Sequence, residues 1–173
     1  MFTLSYSSAY DPYHTVFRMI CALRAADEQK IDYQKLRIVD FFLCFPWLIK
    51  EITASRSIKN FAKRKNSILK AYIATKYDVT PAPRTLFARM EPIQMAALGG
   101  LISAGVASGS RDAAVRIDVD ALSSGLNSLT AKFNDNNREL VEFLSQELIK
   151  LPYAGDGGLK HRSGLDEYRY DNI

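Results

Sequence analysis

The stretch LRIVDFFLCFPWLI, residues 36–49, most constrains what this chain can fold into. Leu36, Ile38, Val39, Phe41, Phe42, Leu43 and Phe45 nearly surround a helical axis. A helix that is apolar all round must lie at the centre of a core. Pro46 cannot continue the hydrogen-bond ladder, so a break belongs there, with Trp47, Leu48, Ile49 and Ile52 on a short helix beyond it. Asp32 can cap the central helix, and DEQKID before it (residues 27–32) reads as a polar turn. From Ile38 to Ile49 the one charge is Asp40. A carboxylate there needs a buried partner, for which Arg37 and Arg18 are the candidates.

The other elements arrange themselves around that helix. Asp11-Pro12 is a helix start, a capping carboxylate followed by proline at the first helical position. Val16, Phe17, Ile20 and Leu23 then follow at helical spacing to about residue 26. DVTPAPRT (residues 78–85) reads as a loop and a candidate half-domain junction, near residues 78–84. A short helix over residues 85–90 follows, and Glu91-Pro92 opens another over residues 91–104. After it, Val115, Ile117 and Val119 alternate with Arg116, Asp118 and Asp120, the period of a half-buried strand. Gly105-Val106-Ala107 is its candidate partner, and SGSRD turns between them. Helices over residues 120–129 and 136–150 complete the domain. The expected class is mainly α and winged-helix-like, with about six or seven helices and one small β-hairpin as the wing. It forms a single domain over residues 1–152, followed by a flexible glycine-rich tail over 153–173.

The glycines raise the question of phosphate binding. AALGGLISAGVASGSRDAAVRIDV has no GxxxxGK and no GxGxxG, and its order is helix then strand. GDGGLKHRSG lacks that spacing as well. Gly99 and Gly100 are read as allowing close backbone packing, and Gly105 as a helix C-cap with positive φ. No catalytic or metal constellation stands out, and no cofactor is implied. His14 sits beside the first helix start and His161 in the tail, neither within a ligand cluster. Cys21 and Cys44 lie in apolar runs and read as reduced core residues. The N-terminus has no signal-peptide pattern, and the longest apolar run is too short to span a bilayer, which points to the cytoplasm.

Charge is the remaining signal. The chain carries a net +4, yet residues 53–77 hold seven cations and no acid. Arg56, Lys59, Lys63, Arg64, Lys65 and Lys70 are the candidate contacts for double-stranded DNA or an acidic partner, on a helix over residues 56–76. The helix over 91–104 would occupy the recognition position of a winged helix, but its polar side chains are few, Gln94 and Ser103. Protein-interface candidates are Phe45 and Trp47, together with Tyr168 and Tyr170 in a docking tail.

YDPYHTVFRM, LRIVDFFLCFP and PRTLFARMEPIQMAAL ahead of a glycine-ended helix and hairpin resemble the middle component of ABC-three-component systems, in particular the subgroup of Lamassu-type antiphage defence operons. The resemblance runs over about residues 9–151. It implies a non-catalytic adaptor in a hetero-oligomer, joining an SMC/Rad50-like ABC ATPase to an effector nuclease, without catalytic residues and without a membrane anchor. A winged-helix DNA-binding transcriptional regulator is the alternative.

Overall fold

A computed structural model describes residues 8–78 and 80–166 of the 173-residue chain. Helix α1 (Pro12–Ala25) starts as its sequence dictates. The Asp11 carboxylate accepts from the backbone N–H of Tyr13 at 2.8 Å and of His14 at 3.4 Å. Such a cap contributes about 1 kcal/mol. Asp32 caps α2 (Tyr33–Cys44) in the same way, and nine residues from Tyr33 to Leu43 are buried. The helix stops before Pro46, which opens a 3-10 turn, Pro46–Glu51.

Residues 30–32, read as turn, form a strand, β1 (Lys30–Asp32). One apolar residue, Ile31, cannot announce a strand by periodicity. The strand exists because β3 (Ala114–Ile117) pairs with it antiparallel, Ile31 opposite Val115. Strand β2 (Ala107–Ser108) pairs with the other side of β3 as expected, giving the order β1-β3-β2. Ile31, Ala107, Val115 and Ile117 all face the core, while Lys30, Ser108 and Arg116 face out. The small hairpin is therefore the outer part of a three-stranded sheet.

Helix α3 (Phe61–Ala71) is shorter than the basic helix expected over residues 56–76. The Ser55 and Ser57 hydroxyls lie 2.6 Å apart, and Ser55 Oγ accepts from the Ser57 N–H, a turn that competes with helix. Asn60 then sits at φ +57°. Helix α4 (Pro83–Ser103) is one continuous helix, not two. Pro92 cannot donate to the carbonyl of Ala88, but both residues are exposed, so that carbonyl faces solvent. Buried Phe87, Met90, Gln94 and Leu98 hold the helix on both sides of the proline.

Gly105 ends α4 at φ +71°. Its N–H donates to Ile102 O and that of Val106 to Leu101 O, both at 3.0 Å, a Schellman cap. Gly109, in the hairpin turn, has φ +128°, and a Cβ there would lie 2.3 Å from Ala114 O. Gly99 and Gly100 are exposed, and a Cβ on either would meet nothing within 4 Å, so they do not serve close packing within this chain.

Helix α5 (Ser124–Asn136) follows a 3-10 turn, Val119–Ala121, and begins later than expected. Helix α6 (Arg138–Glu142) runs on through a π turn, Phe143–Glu147, and a 3-10 turn, Leu148–Lys150. The break at Asn137 is built in. Its amide donates to Phe133 O and accepts from Tyr72 Oη.

The glycine-rich stretch after Pro152, expected to be mobile, is docked. It forms α7 (Leu159–Arg162), and Leu159 and Leu165 enter the core. Thr53 N donates to Arg162 O at 2.9 Å, Arg162 donates to Ala54 O, and Arg84 donates to Gly164 O at 3.0 Å. Buried residues from Ala9 to Leu165 form one hydrophobic cluster, which includes Ile58, Phe61 and Ile68 from the stretch between α2 and α4.

Candidate interaction surfaces

A buried polar network fixes α4 against the first two helices. Asp40 is fully buried on α2. Its Oδ1 accepts from Arg18 Nε on α1 at 2.7 Å, and its Oδ2 from Gln94 Nε2 on α4 at 2.8 Å. Gln94 Nε2 also reaches Arg37 O, and its Oε1 accepts from Arg37 Nε at 2.9 Å. Arg18 is thus the partner of Asp40, whereas Arg37 serves Gln94, lies 3.7 Å from Glu91 and stacks over the Phe87 ring. Burial is the largest influence on the Arg18 pKa and would lower it, but the charge and hydrogen bond of Asp40, with smaller contributions from neighbouring groups, together hold the guanidinium above its ordinary value. Gln94, one of the two polar residues read as available to a groove, is wholly enclosed.

Past Pro92, the outer side of α4 has no charge. It presents Met95, 40% exposed, and Ile102, 38% exposed, with exposed Ala96, Gly99, Gly100, Ser103 and Ala104. The uncharged run continues through the hairpin edge to Ser110. Strand β2 is an edge strand, and beside it opens a cavity of about 210 Å³ lined by Val106, Ala107, Ser108, Arg116 and Asp118. Of the two cations on α4, Arg84 is half-buried and Arg89 is exposed.

The cations of α3 and its flanks divide in two. Arg64 pairs with Glu147 at 3.7 Å and lies over the Phe143 ring, 5.6 Å from its centroid. Lys65 donates to Lys50 O and Ile52 O, both at 2.7 Å, and burial lowers its pKa. These two tie the helix to the body. Arg56, Lys59, Lys63 and Lys70 project outward, as does Lys76 over the Tyr77 ring. The basic face read from sequence over residues 56–76 is therefore narrower on the helix, and its two ends lie on the flanking turns and not on the helix.

Phe45 is in the core, in ring contact with Phe41, and so is not a surface anchor. Trp47 is half-buried with its ring against Phe45. Tyr168 and Tyr170 lie outside the described residues. His14 stays exposed near Asp11, and His161 Nδ1 lies 3.0 Å from Asp166. Cys21 and Cys44 are free thiols; burial pushes Cys21 up to about 12 and raises Cys44 as well, so neither is a thiolate at neutral pH. No group of three or more metal-ligating side chains comes together among the described residues, and no helix among them is long and apolar enough to cross a membrane.

The family described as ABC-three component (ABC-3C) system Middle Component 5 matches this chain over residues 4–171. The chain belongs to that family. No curated protein and no solved structure matches it. The match takes in the C-terminal segment that the sequence resemblance left out, in which α7 lies. In this middle component, Leu159 and Leu165 are as much part of the core as the helices before them. Membership implies work alongside the other components of an ABC-3C system, as an adaptor in defence.

Proposed function

We propose that this middle component is a non-catalytic adaptor, working in the cytoplasm as part of a hetero-oligomer of the Lamassu type. It joins an SMC/Rad50-like ABC ATPase to an effector nuclease. The observation that carries this reading is the chargeless outer face of α4 with the open edge of β2 beside it. The element order supports a winged-helix ancestry: α1, β1, α2, then α4 and the β2–β3 hairpin, with residues 45–82 inserted. In that architecture the helix before the wing reads DNA with Arg, Asn or Gln. Here it offers Met95, Ile102 and small residues, a surface whose composition matches the uncharged centre of a protein interface. The alternative, a DNA-binding regulator, would need base-reading side chains where this helix has glycine and alanine.

The test is co-expression with the ATPase and effector of the same system. A stable complex containing all three chains is expected, and the isolated chain should hydrolyse neither ATP nor DNA. A monomer that ignores both partners would end the adaptor reading.

A further inference from the structure

We propose that the insertion between α2 and α4 carries a binding surface for the phosphate backbone of duplex DNA, so that nucleic acid meets this protein on α3 and not on α4 and its hairpin. Charge separation is the first ground. Residues 53–77 hold seven cations and no acid, while the rest of the chain has a net charge of −3. The molecule is not uniformly basic; it is a mildly acidic body with one basic projection.

Nearby acids do not neutralise the projection. Glu147 pairs with Arg64 and Lys150, and Glu51 lies 4.0 Å from Lys50; Glu139, which accepts from Ser67 Oγ at 2.8 Å, and Asp78, which accepts from Thr75, keep their charge but form no ion pair with an outward cation. The outward cations, Arg56, Lys59, Lys63, Lys70 and Lys76, have no acidic partner among the described residues.

Their arrangement is the second ground. Lys63 and Lys70 stand two turns apart on one side of α3, about 10 Å along its axis. Arg56 and Lys59 precede the helix and Lys76 follows it, so the cations are spaced in a row along residues 56–76 of the chain. A row suits a polymer that carries charge at a regular pitch. Four of the five are lysines, point charges that accept a phosphate from many directions, whereas the paired recognition of a carboxylate favours arginine. Lys65 and Arg64 hold the row on a fixed platform. Ile73, 76% exposed, and Tyr77, 63% exposed, follow α3 on the same segment and can pack against backbone sugars. The lysine-rich row offers point charges to phosphate, which carries no sequence information, so binding is expected to be indifferent to sequence.

This inference is independent of the adaptor reading, and its test needs neither partner. Fluorescence anisotropy with the full chain and two unrelated short duplexes measures affinity at several salt concentrations. The two duplexes should bind alike, with affinity falling steeply between about 50 and 200 mM salt. The triple variant Lys59→Glu, Lys63→Glu, Lys70→Glu should keep its circular dichroism and melting temperature, lose roughly tenfold or more in affinity, and show a salt slope shallower by about 3. Charge reversal at Lys30 on β1 and Lys132 on α5, away from α3, should change little. Absence of binding at low salt would overturn the proposal, as would an unaltered triple variant. Equal competition by polyglutamate would also overturn it, by assigning the row to an acidic protein.

Discussion

Helices α3 and α4 are neighbours in sequence and opposites in design. Outwardly α3 is charged, and the body holds it through Arg64 and Lys65 at its margin. The outer side of α4 past Pro92 is uncharged, while its inner side is held through the buried Gln94–Asp40–Arg18 chain. The contrast teaches that the two surfaces have different tolerances. On α3 the surface cations can change without touching the fold, because the anchors are other residues. On α4 the charges that fix the helix lie beneath the neutral outer side.

That contrast can be broken from the inside first. Asp40→Ala leaves Arg18 buried without its anion and should cost about 3–5 kcal/mol, read as a shift in the urea midpoint. The double variant Arg18→Met, Asp40→Leu should recover most of that loss, since a buried pair replaced by apolar side chains is close to neutral. If Asp40→Ala is as stable as the parent, the buried network does not position α4.

On α3 the effect should be smaller and divided. Lys65→Met leaves two carbonyls without their donor and should cost about 1–2 kcal/mol. Lys63→Met, two residues away, should stay within about 0.5 kcal/mol. Equal losses in thermal unfolding would erase the distinction between anchor and outward cation.

The smallest effect sharpens the comparison by its sign. Gly99→Ala and Gly100→Ala place a methyl in open space on an exposed helix, so each should stabilise the isolated chain by up to about 1 kcal/mol. If the neutral face docks a partner closely, the same variants weaken assembly while strengthening the fold. By contrast, Gly109→Ala should destabilise it, because its Cβ would meet a carbonyl in the hairpin.

Local chemistry made much of this legible in the sequence. Asp11-Pro12, Asp32 and Gly105 act within a few residues of themselves, and each did what its type and position required. Asp40 was also legible, because a lone carboxylate in an apolar helix demands a partner. What was not legible depends on distant contact. Strand β1 has one apolar residue and owes its existence to β3, more than eighty positions later. The C-terminal segment looked mobile by its glycines, yet Leu159 and Leu165 outweigh them once the body offers a site. Pro92 looked like a helix start, but burial on both sides of it carries the helix through. The basic face was legible as composition only. Which cations are anchors and which are free follows from the carbonyls of Lys50 and Ile52 and the carboxylate of Glu147, which no spacing announces.

One experiment puts both surfaces to the test at once. The components of the system would be co-expressed with the parent chain, with Met95→Glu, Ile102→Glu, or with Lys59→Glu, Lys63→Glu, Lys70→Glu, and the complex recovered through a tag on this chain. The expected result is that the α4 variant folds but comes out alone, while the α3 variant still brings its partners. An α4 variant that retains its partners in full yield would contradict the adaptor face assigned to this helix.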